Sequence, residues 1–430
     1  MRSESMFKET ALGLRPSNWD EVFLGDVFAE VNTRVKDLSD VEPPVLSMTS
    51  RDGLVLQSDR FKNRVASSDI SNYKVVSRGQ LVYGFPIDEG VIAMLHRYPV
   101  GVVSPAYNVW KPKINFDMMF MDAMLRTPSM VEVYKRFAST SVHRRRNLSK
   151  RDFKRVPVVL PPLPEQHAIA DALCTVQQAK EATEQVIDAV GELKKSLMRY
   201  LFMYGPVPVS ETGKVLLRDT QAGSVPEHWT VMALGQVVES SFSGGTPSTK
   251  VADYWNGDIP WITSAAIAEE DVILQKHQRF ITDLGLSKSA AKMAPKDAVI
   301  VGTRVGIGKA VVAPSSVAMN QDLTALVLDT RRVEPTFLAY LFKTDAIQRS
   351  MQLLARGTTI KGVPRNDLLD LLIPLPPLNK QHAITRILRL VDGRLVAERN
   401  KKQALDALFN TLLLNLMEGK VRLPEFAGGE

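Results

Sequence analysis

Sulfur chemistry is almost absent, since the 430 residues hold a single cysteine, Cys174. One thiol excludes a disulfide framework and fits a reducing compartment; on a helix-patterned stretch it reads as a small apolar packing residue. Long apolar runs are missing as well. The opening MRSESMFKET lacks the hydrophobic segment of a signal peptide, and nothing approaches the roughly 20 apolar residues of a membrane span. A cytoplasmic protein with no membrane partner is expected. Metal-ligand spacing is lacking too: His96, His143, His167, His228, His277 and His382 stand scattered, with no cysteine beside them. The stretch GTRVGIGKA, 302–310, is glycine-rich but misses the phosphate-loop spacing. In it Lys309 is followed by Ala310 rather than Ser or Thr, so it reads as a strand-turn-strand hairpin. DIPW at 258–261 approaches the DPPW of amino-methyltransferases without its second proline, and no glycine-rich methyl-donor motif accompanies it. A chain without catalysis, metal or cofactor of its own is expected.

What the chain has is length, a basic balance and a repeat. Its 54 Lys and Arg outnumber 47 Asp and Glu, a net charge of +7. That suits a polyanionic partner without demanding one. The length allows two or three domains, each able to bury a core. The repeat centres on 160–202, LPPLPEQHAIADALCTVQQAKEATEQVIDAVGELKKSLMRYLF. Prolines 161, 162 and 164 cannot sit in a helix interior, so a helix is expected to start with Pro164 at or just before its first turn. Its seam would be Ile169, Leu173, Val176, Lys180, Thr183, Ile187, Val190, Lys194, Leu197 and Leu201, with a seven-residue period and three polar interruptions. At about 1.5 Å per residue, a helix over 165–202 is roughly 57 Å long.

Shifted by 215 positions, the same stretch recurs over 373–417: Pro161, Pro162, Leu163, Gln166 and His167 fall on Pro376, Pro377, Leu378, Gln381 and His382. The seam falls on Ile384, Leu388, Val391, Leu395, Glu398, Lys402, Leu405, Phe409, Leu412 and Leu416 without a gap. Two helices with matched seams and no other apolar partner of that length are expected to pack on each other as an antiparallel coiled coil. Two unrelated surface helices are the plain alternative, and the shared Pro-Pro-Leu start and common register argue against it. His167 and His382, paired by the repeat, read as capping or interhelix contacts rather than catalysts.

The globular blocks repeat as well. RPSNWDEVFLGDVF, from position 15, is matched 210 positions later by VPEHWTVMALGQVV, pairing Trp19 with Trp229 and Leu24 with Leu234; each reads as a short strand and a turn of helix. Short strand-like runs follow at 74–76, 80–85, 91–94, 101–103 and 107–110 in the first block. In the second they fall at 259–262, 298–303, 309–312 and 323–328, set off by Gly and Pro. Helical stretches at 116–137 and 336–354 close the blocks, matched at an offset of 217, while the middles diverge. The expected fold is mixed α+β, a pseudo-twofold tandem of two globular domains separated by the helix pair. Its divisions are a first globular domain at 1–155, a central helix at 156–203, linker and second globular domain at 204–370, a C-terminal helix at 371–418 and a tail at 419–430.

HRRRNLSKRDFKR, 143–155, carries Arg144, Arg145, Arg146, Lys150, Arg151, Lys154 and Arg155, which could neutralise several phosphates. Charge alone does not separate this from a solvated basic loop. The matched place in the second block, ARGTTIKGVPRND, is again basic and hydroxyl-rich, with Arg356, Thr358, Lys361 and Arg365, and that recurrence favours phosphate contact. Base reading would fall to the divergent middles. Candidates are Arg51 in SMTSRDG, Lys62 and Arg64 in SDRFKNRVASSD, Thr246, Ser248 and Lys250 in SGGTPSTK, and Trp261 and Ser264; Arg304 of the glycine-rich hairpin is a further DNA-binding candidate. Arg grips guanine bidentately, and Ser or Thr serve as small donors and acceptors.

Taken together, the tandem layout, LPPLPEQ opening a long helix, its copy LPPLNKQ, the run GGTPSTKVADYWNGDIPWITSAAI, and YKVVSRGQLVYG with VVSPAYNVW resemble the specificity subunit of type I restriction-modification enzymes. The resemblance covers nearly the whole chain. It implies two target-recognition domains, each reading one half of a bipartite double-stranded DNA site, and a coiled coil that sets their spacing. It also implies docking of two DNA adenine methyltransferase subunits using S-adenosylmethionine and, in the full enzyme, two restriction-translocase subunits using ATP and Mg2+. Asn379 and Lys380 stand where the first copy has Pro164 and Glu165, so the two helix starts need not engage partners equally. The competing reading is a coiled-coil scaffold whose basic loops bind RNA or acidic proteins.

Overall fold

The computed structural model describes residues 6–37, 43–50, 52–61, 65–140, 146–357 and 361–427. Two compact units emerge, 1–184 with 400–430, and 185–399. These boundaries differ from the expected succession of globular and helical segments. Each long helix, Leu163–Tyr204 and Leu378–Met417, is shared between the units near its middle. An apolar stripe belongs to whatever covers it, and each half of a helix is covered by a different core.

In the first unit the seam residues Ile169 and Leu173 lie in one core with Leu416 and Met417, and Phe409 and Leu412 pack against it. Lys180 pairs with Asp406 at 2.7 Å and Lys402 with Glu184 at 2.5 Å, so the contacts ascend one helix while descending the other: the packing is antiparallel. In the second unit Leu201 shares a core with Ile384 and Leu388, and Lys194 reaches Asp392 at 2.5 Å. The polar interruptions of the seam are therefore largely places where ammonium groups lay their stems over apolar neighbours and cross to the facing helix. Lys180 also sits 4.7 Å from the Phe409 ring centroid. Each fully buried Leu or Ile adds about 1.5–3 kcal/mol. The first helix starts at Leu163, with Pro164 inside its first turn, where the missing N–H costs no hydrogen bond.

The rest of each unit follows one plan. A hairpin, Phe7–Thr10 with Gly13–Pro16, has its counterpart in Leu217–Thr220 with Gly223–Pro226. Gly13 and Gly223 make the turns with φ of +86° and +101°, a region that disfavours other residues. The linker expected at the start of 204–370 is thus largely structured, with a 3-10 helix at Val209–Lys214 before the hairpin. Next, Asp20–Phe23 pairs with Pro157–Leu160, and Thr230–Ala233 with Leu372–Leu375.

The main sheet runs Phe28–Val31, Asn108–Pro112, Leu81–Tyr83, Ile92–Met94 in the first unit. In the second it runs Val238–Ser243, Leu323–Leu328, Val299–Gly302, Ala310–Val312. The middles, expected to differ, also share a topology. Arg279–Ile281, Trp255–Ile262, Val317–Met319 and Lys292–Ala294 form one sheet in the second unit, with Trp261 parallel to Ala318. The first unit has the same neighbours as two pairs, Gly53–Leu56 with Leu46–Thr49 and Val100–Val103 with Lys74–Ser77, joined by the single parallel bridge Val45 to Val102. Divergence lies in the loops and strand lengths, not in strand order.

Each stretch expected as one closing helix is two: Met118–Leu125 and Pro128–Phe137, Pro335–Phe342 and Asp345–Leu354. Pro128 cannot continue a helix, and Thr127 caps the second one by accepting from the Met130 N–H. No helix among the described residues is long and apolar enough to cross a membrane.

Candidate nucleic-acid interface

The two basic stretches occupy equivalent hairpins. Ser139–Thr140 pairs with Arg146–Asn147 in the first unit, and Arg356 bridges Gly362 by two 2.8 Å backbone bonds in the second. Each hairpin follows the second closing helix and precedes a short helix, Lys150–Phe153 or Arg365–Leu369. Arg144, Arg145 and Thr358 lie outside the described residues, as do Arg51, Lys62 and Arg64. Arg146 enters the paired strand. Lys150, half exposed, is spent on an ion pair with Glu30, and Arg356 reaches Asp367 at 2.7 Å. Neither charge is as free as the sequence suggests.

In the second unit several candidates come together on one rim. Glycines let the SGGTPSTK segment pack down: a Cβ at Gly244 would lie 1.8 Å from the Met319 carbonyl oxygen, and one at Gly245 would lie 2.5 Å from Ala290 Cβ. Thr246, Ser248 and Lys250 then stand exposed beyond this anchor. Trp261 and Ser264 do not. Trp261 is buried, donates Nε1–H to the Gly245 carbonyl at 3.2 Å, and meets Trp255 edge to face with centroids 5.4 Å apart; Ser264 is buried too. Burial sets both back from the rim, and an indole whose donor is already used inside the core has none to offer a base.

Arg304 is exposed in the turn after Val299–Gly302 and makes no ion pair among the described residues. Its backbone N–H donates to the Asp322 carbonyl, and Val363 N–H donates to the Thr303 carbonyl at 2.7 Å, drawing the hairpin at 356–362 beside it. Exposed Lys361 lies in that hairpin. Thus Arg304, Lys361 and Thr246, far apart in the chain, flank the turn at 320–322.

That turn was missed from sequence. Asn320 is buried, Gln321 exposed and Asp322 half-buried, and Thr246 Oγ1 donates to Gln321 Oε1 at 2.8 Å. An Asn-Gln-Asp run between apolar strands is a turn signal and could have flagged it. The first unit has Ser104, Pro105 and Ala106 at the matched place. Its own concavity is a pocket of about 300 Å³ bounded by Ser47, Gln57, Arg60, Tyr73 and Ser104. There Arg60 donates to the Met48 carbonyl at 3.1 Å.

The helix starts hold a matched joint. Gln166 Oε1 accepts from the Asp117 N–H and Gln381 Oε1 from the Glu334 N–H, both at 2.9 Å, while each Nε2 donates to a proline carbonyl five residues back. Asp117 and Glu334 in turn cap Met118–Leu125 and Pro335–Phe342. His167 Nδ1 lies 2.8 Å from Asp117 Oδ2, an interhelix contact to the carboxylate that caps Met118–Leu125. Among the described residues no group of three His, Cys, Asp or Glu could hold a metal ion.

Against known proteins, residues 226–407 match the family described as the type I restriction modification DNA specificity domain. A type I restriction enzyme specificity subunit of Methanocaldococcus jannaschii, MjaX, is 22% identical over 98% of this chain and 97% of its own. The EcoBI specificity subunit of Escherichia coli is 21% identical over 58% of this chain and 54% of its own. The crystal structure of a type I restriction-modification S subunit from M. genitalium superposes with a TM-score of 0.56 at 14% identity, covering 93% of this chain and 96% of that one. A chain from a study of the assembly and conformational transition of the type I R-M system gives 0.54 at 18% identity over 95% and 99%.

Proposed function

We propose how this chain, which belongs to the specificity-subunit family of type I restriction-modification enzymes, uses the geometry above: each unit reads one half of a bipartite DNA target. The observation that carries it is the repetition of one strand order with a basic hairpin at the same place in both units, surrounded by loops that differ. Shared hairpins suit phosphates, which look alike at every site, and differing loops suit bases, which do not. The chain itself supplies no reaction. Two methyltransferase subunits with S-adenosylmethionine dock on it, joined in the full enzyme by two restriction subunits with ATP and Mg2+. A scaffold that only binds RNA or acidic proteins would have no use for two differently lined reading loops on one repeated frame.

The long helices serve both units, so their length is the quantity that sets the number of unread base pairs between half-sites. Inserting a heptad after Gln185 and another after Asn400 keeps both apolar seams in register. It adds about 10 Å, roughly 3 base pairs for helices along the DNA axis and fewer for inclined ones. Methylation of a library with variable gaps, in the presence of the methyltransferase, is expected to show the same two half-sites at a longer spacing. Activity retained at the original gap would remove the helices as a ruler.

A further inference from the structure

The turn at 320–322 is built more firmly than an exposed turn needs. Asn320, 4% exposed, donates Nδ2–H to Asp322 Oδ2 at 2.7 Å, accepts from the Asp322 N–H on Oδ1, and donates its own N–H to the Ile262 carbonyl at 3.0 Å. The Asp322 carbonyl accepts from the Thr303 N–H at 2.9 Å. Both neighbours of Gln321 are thereby fixed, and Gln321 alone of the three is exposed. Its amide is oriented as well. Thr246 Oγ1 donates to Oε1 at 2.8 Å, and Thr246 follows two glycines clamped against the strand ends. Among the described residues Nε2 donates to nothing, and Oε1 keeps a second lone pair.

We propose that Gln321 is a base-reading residue of the second unit and takes the N6/N7 edge of an adenine in the major groove. The proposal rests on the reading of this chain as a DNA specificity subunit. The free amide hydrogens donate to N7 while the remaining lone pair of Oε1 accepts from N6–H, the bidentate match of a carboxamide to adenine. An amide oriented before DNA arrives loses little rotamer freedom on binding, which is what a discriminating contact requires. Arg304, on the adjoining backbone and without an ion pair among the described residues, grips the flanking phosphate. In the first unit the matched residue is Pro105, which has no side-chain donor or acceptor; that unit reads its half-site from other loops.

The test selects bound sequences from randomised duplex DNA with the full chain and its methyltransferase subunits. If the unaltered protein selects no two-part motif, the specificity-subunit reading falls, and this one with it. If it does, Gln321→Ala is expected to relax one adenine position of one half-site by about 10- to 100-fold and leave the other half unchanged. Gln321→Glu keeps the acceptor toward Thr246 but has no donor for N7, and is expected to favour cytosine at that position. Thr246→Val, which frees the amide to rotate, is expected to relax the same position less. Unaltered thermal melting separates these effects from misfolding. Two results would overturn the assignment: motifs identical to the parent in Gln321→Ala and Gln321→Glu, or a uniform weakening on all sequences, which marks a phosphate contact.

Discussion

The two units share a frame and hold it with different chemistry. In the first, Glu165 is buried at the start of the long helix, gripped by Arg422 at 2.8 and 2.7 Å and by Trp19 Nε1–H at 3.1 Å. The matched residue in the second unit is Lys380, half-buried, although the tryptophans pack alike, Trp19 against Gly419 and Trp229 against Gly205. A second contrast lies where the two closing helices meet. Arg126 pairs with Asp122 at 3.2 Å and donates to the Ser50 carbonyl at 2.9 Å. Its counterpart Lys343 stands opposite Ala339 rather than an acid, donates to the Glu269 carbonyl, and is lowered to about 8 by burial, with Lys194 nearby adding to the effect. Strand order and helix joints are therefore what the repeat requires; the charges are local solutions.

The largest effect expected follows from the buried pair. Glu165→Ala leaves the Arg422 guanidinium without its partner inside the first unit, a loss of about 3–5 kcal/mol. Lys380→Ala is expected to stay within about 0.5 kcal/mol. Urea unfolding followed by amide exchange resolves which unit has weakened, and equal losses in both variants would erase the contrast.

A smaller difference separates Arg126 from Lys343. Arg126→Met leaves the buried Asp122 carboxylate short of a partner, about 1–3 kcal/mol. Lys343 behaves oppositely. Its folded pKa of about 8 lies below the ordinary lysine value of 10.5, so between these limits the unfolded chain binds more protons and stability rises with pH. Lys343→Met is expected to stabilise the protein at pH 7 and to flatten that alkaline rise. Melting curves from pH 7 to 10 that keep the same slope in the variant would show that Lys343 carries no such strain.

Smallest is the effect on DNA binding. Arg304→Ala and Lys361→Ala should each lower the slope of log affinity against log salt by about one, equally for all sequences. A slope unchanged in both would leave the second unit's rim without phosphate contacts and sharpen the claim of the first unit's stretch at 144–146.

Much of the frame is legible in the residues. The heptad seam, the Pro-Pro-Leu start and the matched Trp19 and Trp229 are periodic or near-identical, and periodicity reports burial directly. The breaks at Thr127 and Thr344 were masked by apolar spacing that runs through both helices. Site residues were less legible, because an exposed Thr and a buried Trp in one glycine-rich run look equally available until the neighbours are known. Gln321 escaped notice for the same reason: its neighbours in space, Thr246 and Arg304, are not its neighbours in the chain.

By itself the sequence determined the tandem repeat, the two long helices with their common register, and the mixed α+β blocks, because each is written in local spacing and turn chemistry. Tertiary structure alone decided that each helix is divided between two cores, that the divergent middles share one strand order, and that Trp261 and Ser264 are buried. Burial and hydrogen-bond partners are set by residues distant in sequence, so no local pattern encodes them. It is that long-range closure, Met319 and Ala290 against Gly244 and Gly245 and Asp322 against Thr303, that gathers scattered polar side chains onto one rim.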